Sequence, residues 1–150
     1  MRPRLVELAR ELGVSARVVF TGDLPRPDVV ALFKAAQVFA MISRVEESSV
    51  EGFGIAFLEA GALGLAVVGG RSGGIPDAVA DGETGLLVDP ADPEAVAEAT
   101  TRILLDRGLA GRLGAAGRKR ARDEFTWKRV VDAIVASFED QELDPSRRGR

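Results

Sequence analysis

The chain contains neither cysteine nor histidine. Without cysteine there are no disulfides and no thiolate chemistry. Without histidine as well, zinc sites and imidazole acid–base catalysis are excluded. Carboxylates must therefore carry whatever chemistry the chain supplies. No apolar run reaches membrane-spanning length and no signal-peptide pattern is present, so the expectation is a soluble, cytoplasmic protein without a membrane span. An excess of one charge is also missing, with a net charge of only −3. Basic residues do gather at 112–122 and 147–150, but acids and alanines interrupt them as on a solvated helix face, and nothing points to nucleic acid. At 150 residues one domain is expected, able to bury about 70% of the surface its unfolded chain exposes.

What the chain has is an alternation of short apolar runs with helical patterns. Residues 3–13 carry Leu5, Leu8, Ala9 and Leu12 at helical spacing, and the β-branched and aromatic run 17–20 reads as a buried strand. A turn-rich loop with Gly22, Asp23, Leu24 and Pro27 leads into a helix over 28–36, and an apolar strand follows at 38–42. After a polar loop the pattern predicts a helix at 54–63 stopped by Gly64 in the left-handed conformation, then a strand at 65–68. The glycine-dense run 69–74 precedes a helix opened by Pro76 and Asp77, and Leu86–Val88 reads as the last strand. The remainder is helical: one helix capped by Asp92 with Pro93 at its first position, one at 110–124 interrupted by Gly111, Gly114 and Gly117, and one capped by Thr126. Trp127, Val130, Val131, Ile134, Val135 and Phe138 lie on one face of that last helix, with Trp127 expected in the core. Four strands alternating with helices predict an α/β fold, a Rossmann-like parallel sheet layered by helices with a helical carboxyl end. The domain is expected over residues 1–140, with a disordered tail at 141–150.

One stretch departs from this bland pattern. From Phe53 to Val68 every side chain is apolar or absent except Glu59. A buried carboxylate needs a partner or a polar ligand, since leaving it unpaired costs several kcal/mol. A buried ion pair with an arginine is the rival reading for Glu59 taken alone. Upstream, Glu51 precedes the turn Gly52-Phe53-Gly54. Gly54 and Ile55 then open a helix whose free N–H groups and positive dipole end suit a phosphate or pyrophosphate. Glu59 lies about 7.5 Å further along the axis, with its side chain leaning back toward the helix start, so it can accept two vicinal hydroxyls such as those of ribose. In a parallel sheet, the loops after residues 20, 42 and 68 all open on the carboxyl edge, where ligands bind, and are expected to share one cleft. Gly73 and Gly74 belong to that edge, although a simple turn explains them equally well. The run 69–74 does not match the dinucleotide-binding glycine spacing.

The segment Glu51-Gly52-Phe53-Gly54-Ile55-Ala56-Phe57-Leu58-Glu59 resembles the paired-glutamate signature of retaining nucleotide-sugar glycosyltransferases with the two-domain GT-B fold. Phe20-Thr21-Gly22, Gly73-Gly74-Ile75-Pro76-Asp77, Asp81-Gly82-Glu83-Thr84-Gly85 and Phe125-Thr126-Trp127 look like the carboxyl-terminal, donor-binding domain of that family. The resemblance covers residues 16–138, and its wording around Val38-Phe39-Ala40-Met41 is most similar to the GDP-mannose-dependent, phosphatidylinositol mannosyltransferase-like branch. It implies a hexosyltransferase in which Glu51 is the catalytic acid holding hydroxyls of the transferred sugar, Gly52, Phe53, Gly54 and Ile55 hold the diphosphate, and Glu59 holds the ribose. Gly22, Asp23 and Leu24 would border the base, with Asp23 accepting from guanine N–H groups. Gly73 and Gly74 complete the donor contacts.

The resemblance also implies that no metal and no cofactor takes part. The donor would be a nucleotide diphosphate sugar, with GDP-mannose favoured, and the acceptor a lipid-linked molecule or a saccharide that the sequence does not reveal. Family members are longer than this chain, with an acceptor domain and a basic diphosphate clamp that have no counterpart here. Peripheral membrane contact would come through that other domain. Arg44 and Arg71 are candidate substitutes for the clamp, against the reading that they are solvated loop arginines. The family's last helix packs on its other domain, so the apolar face around Val131 and Ile134 is expected to be exposed. A non-catalytic nucleotide-sugar binding module, or an inactive fragment, is the alternative reading.

Overall fold

The computed structural model describes residues 2–43 and 52–142. Residues 44–51, with Arg44 and Glu51, and residues 143–150 lie outside the described residues. Two compact units divide the chain, Met1–Leu32 and Phe33–Arg150.

In the first unit, helix α1 (Arg2–Glu11) is followed by a 3₁₀ turn (Ser15–Arg17) and the start of α2 (Arg26–Ala35). The strand expected at 17–20 does not form. A strand exists only through a backbone ladder, and residues 18–20 make none among the described residues, leaving Val19 84% exposed. The carbonyl of Phe20 instead accepts from the Arg2 guanidinium at 3.1 Å. Only Ala9 of the expected α1 stripe is buried.

The second unit is a three-stranded parallel sheet in the order β1 (Phe39–Met41), β2 (Val67–Gly70), β3 (Leu86–Val88). Phe39 pairs with Val67 and Val68 with Leu86. Helices α3 (Ile55–Ala62) and α4 (Ile75–Ala78) cover one face, and α5 (Pro93–Leu105) and α6 (Arg107–Glu124) cover the other; α7 (Trp127–Glu142) ends the described chain. Period-two alternation sorts the core between the faces. Leu65, Val67 and Leu87 pack with Phe57, Ile75 and Val79, while Ala66 and Val68 pack with Ile103, Leu109 and Leu113. Each fully buried side chain of this kind contributes about 1.5–3 kcal/mol.

Strand β2 lies two residues later than expected. Leu65 is used by the end of α3, where its N–H reaches the Ala60 carbonyl at 3.1 Å and the Gly64 N–H reaches Gly61 at 2.7 Å. Gly64, at φ +79°, makes this left-handed helix stop possible. Gly69 and Gly70, expected in a loop, are instead strand residues. A Cβ on Gly69 would lie 2.8 Å from Ile75, and one on Gly70 would lie 2.9 Å from the Ser43 carbonyl oxygen, so only glycine lets β2 run through. The expected caps are present: Asp92 accepts from Glu94 and Ala95 N–H at 2.9 and 3.1 Å, and Thr126 accepts from Arg129 N–H at 3.3 Å.

The glycines of α6 explain how α3 is held. Gly117 lies against the Gly61 backbone, and a Cβ on Gly114 would run into the Gly64 carbonyl. The two helices therefore cross at backbone contact distance. Arg118 reaches over to donate to the Leu63 carbonyl at 2.8 Å, satisfying an end group of α3.

Candidate functional site

The carboxyl edge of the sheet brings two of the expected glycine segments together. Gly54 is the N-cap of α3 in the left-handed conformation, and it offers the first-turn N–H groups no side-chain acceptor. It is buried, and a Cβ there would come within 2.7 Å of the Phe57 ring. Gly74 is the N-cap of α4. Its Cα faces the carbonyl oxygen of Gly52 so closely that a Cβ would collide with it, and would sit 3.0 Å from the Phe53 Cα. The turns 52–54 and 73–74 are thus in backbone contact, with exposed Gly52 and Gly73 at the rim. Ile55, the first residue of α3, is 66% exposed, while the capping Gly54 is buried. The positive dipole end of a helix is suited to an anion.

Glu59 is not in a dry core. It is half-buried on the wall of a groove of about 380 Å³, together with Phe53, Ile55, Phe125 and Trp127. The helix expected to be enclosed has one open side, and this removes the anomaly of a carboxylate within it. Ile55 and Glu59 are one turn apart and share that side.

Trp127, expected in the core, is 85% exposed and lines the same groove. On the apolar face of its own helix Val130, Val131, Ile134, Val135 and Phe138 are all exposed among the described residues. The loop at Gly22, Asp23 and Leu24 belongs to the first unit. There Gly22 takes φ +66°, Asp23 is exposed and Leu24 half-buried.

Arg71, a candidate substitute for the diphosphate clamp, is paired within the chain. Its guanidinium contacts the Asp81 carboxylate at 2.6 Å and the Leu87 carbonyl at 3.3 Å, while the other Asp81 oxygen accepts from Leu87 N–H at 2.9 Å. Burial pushes the Asp81 carboxyl up, but the Leu87 hydrogen bond and the Arg71 guanidinium outweigh it and hold the group below its ordinary value. This pair fastens the start of the loop after β2 to β3.

Sequence reading also missed Arg118 and Arg120, assigned to a solvated face. The Arg120 side chain is only 22% exposed and donates to the Asp77 and Ala78 carbonyls at 3.0 and 3.1 Å. The one available signal was the spacing of these arginines from the glycines of α6, which place their turn against α3.

No helix among the described residues is long and apolar enough to cross a membrane. Residues 1–120 match the family described as Glycosyl transferases group 1. The GDP-mannose-dependent alpha-(1-6)-phosphatidylinositol monomannoside mannosyltransferase of Mycolicibacterium smegmatis is 44% identical over 126 residues, which is 83% of this chain and 33% of the relative. The D-inositol 3-phosphate glycosyltransferase of Corynebacterium diphtheriae is 38% identical over 135 residues, 90% of this chain and 30% of that protein. Among solved structures, sucrose-phosphate synthase from Thermosynechococcus elongatus superposes with a TM-score of 0.81 at 33% identity, over 93% of this chain and 34% of its own. Anabaena HepE has the same fold at a TM-score of 0.81 and 24% identity, covering 92% of this chain and 36% of its own. The chain therefore spans about a third of the length of the curated relatives it matches.

Proposed function

Since this chain belongs to the glycosyl transferases group 1 family, we propose that it is the donor-binding part of a retaining hexosyltransferase that moves mannose from GDP-mannose. The observation carrying this reading is the junction of two glycine turns in front of α3, with Glu59 one helical turn beyond the helix start. The names of the relatives favour a GDP-mannose donor over other nucleotide sugars.

In this reading the amides at Phe53, Gly54 and Ile55 receive the diphosphate, and the positive end of α3 stabilises the charge that develops as the diphosphate leaves. Glu59 accepts the ribose hydroxyls. Glu51 holds the hydroxyls of the transferred sugar, Gly73 and Gly74 line the donor, and Gly22, Asp23 and Leu24 border the base. Neither metal nor cofactor is required, because helix dipole and backbone amides provide the electrostatic support. The acceptor, lipid-linked or saccharide, is held by a part of the enzyme outside these residues, through which any membrane contact is made.

Calorimetric titration with GDP, UDP and ADP tests the donor. We expect tighter binding of GDP; equal affinities for the three sink the mannosyl assignment, and absence of heat sinks the donor reading. Joined to an acceptor domain, the chain should lose turnover more than nucleotide affinity on Glu51→Ala, and nucleotide affinity on Glu59→Ala. The opposite pattern would exchange the two roles.

A further inference from the structure

The carboxyl end of α6 touches the turn 52–54 and the end of α4, the helix that follows the turn 73–74. Arg120 uses all three guanidinium nitrogens: Nη2 and Nη1 donate to the Asp77 and Ala78 carbonyls at the end of α4, at 3.0 and 3.1 Å, and Nε donates to Glu124 at 3.0 Å. The guanidinium carbon also sits 5.1 Å from the centre of the Phe125 ring. Phe125 in turn packs on Phe53, with centroids 5.5 Å apart and planes tilted by 56°. Phe53 is the middle residue of the turn 52–54, and α4 directly follows the turn 73–74.

Neither helix following these turns has a side-chain cap. The α3 cap is a glycine, and α4 is only 4 residues long with another glycine at its cap. The backbones of the two turns press on each other at Gly52 and Gly74, so a shift of one displaces the other. Ile75 and Ala78 anchor α4 in the core and Phe53 packs against that core; beyond that, one unit, Arg120 over Phe125, touches both segments, through a ring contact to Phe53 and a two-pronged hydrogen bond to the end of α4. A planar, forked guanidinium can do both at once, and an ammonium cannot.

We propose that Arg120 and Phe125 are positioning residues that set the separation and tilt of the two glycine turns, and through them the donor affinity, Arg120 from outside the groove and Phe125 from its wall. The proposal rests on the donor-binding reading given above.

Two reporters read the turns without any ligand: the Phe57 N–H, bonded to the Gly54 carbonyl at 2.9 Å, and the Asp77 N–H, bonded to the Gly74 carbonyl at 3.1 Å. Amide hydrogen exchange is measured on the full chain as wild type, Phe125→Ala, Phe125→Tyr, Arg120→Ala and Arg120→Lys. Phe125→Ala should speed exchange at Phe57 by about tenfold, and Arg120→Ala should do so at both Phe57 and Asp77. The Arg71 N–H, bonded to the Val88 carbonyl at 2.7 Å in the sheet, should hold its rate. Phe125→Tyr should restore slow exchange, and Arg120→Lys should not.

GDP titrated into the same variants should bind about tenfold more weakly to Phe125→Ala, and as in the wild type to Phe125→Tyr. Faster exchange spread evenly over the chain, no change at Phe57, or undiminished GDP affinity in Phe125→Ala overturns the proposal. A wild-type chain that takes up no GDP refutes the donor reading instead, and the exchange rates still decide whether α6 braces the turns.

Discussion

Glu59 sits on the open side of α3, one turn beyond an exposed Ile55, so its carboxylate is placed to meet a ligand along the groove wall. At the glycine junction the constraint is steric. Gly74→Ala puts a methyl group into the Gly52 carbonyl, and we expect a loss of about 1–3 kcal/mol in urea unfolding, together with weaker GDP binding. Asp81 provides a pH-dependent contribution. Its carboxyl is lowered in the folded chain from an ordinary 3.8, so its stabilisation is complete above that value and is lost as the pH falls through the lowered one. Asp81→Asn should flatten the fall in stability between neutral and strongly acidic pH, as followed by urea midpoints at several pH values. A slope unchanged from wild type would mean that the Arg71 pair makes no difference to the loop.

At the scale of elements, α6 carries four glycines, and three of them, Gly111, Gly114 and Gly117, show how differently their surroundings act. Gly114 and Gly117 are in contact with the backbone of the α3 region, whereas a Cβ on Gly111 meets nothing within 4 Å. Gly111→Ala should therefore raise stability by about 0.5–1 kcal/mol through helix propensity alone. Gly114→Ala should lower stability by more than that gain and loosen α3. Urea midpoints of the two single variants check both signs. The elements legible in the sequence were those specified by local chemistry: the Gly64 stop, the Asp92 and Thr126 caps, and the apolar run Leu86–Val88. Those set by distant partners were not. Residues 18–20 have strand composition without a ladder beside them, Gly69 and Gly70 have loop composition but lie in a strand, and Arg120 in a charged run is drawn inward by carbonyls more than forty positions away.

For the whole molecule, the α/β arrangement was readable because alternating runs of apolar residues demand a sheet covered on both faces, and the two halves of the core follow that alternation. The candidate site was readable in part. Gly52 and Phe53 meet Gly74, and Glu59 shares a groove wall with Phe53 and Ile55, but Trp127 could be placed only once α7 was seen with its apolar side exposed. Trp127 and Val130 of that side also line the groove, and Val131, Ile134, Val135 and Phe138 beside them are exposed. The isolated chain should consequently self-associate as its concentration rises in sedimentation velocity experiments, and Val131→Asp with Ile134→Asp should suppress this.

The central claim is that a nucleotide diphosphate is seated by the start of α3 and the two glycine turns. Backbone proton–nitrogen correlation spectra recorded during a GDP titration test it directly. The account predicts shift changes concentrated at the amides of Phe53 to Ile55, Glu59, Gly73 and Gly74. Changes absent from these amides, or centred on α5 and the far side of the sheet, would contradict it.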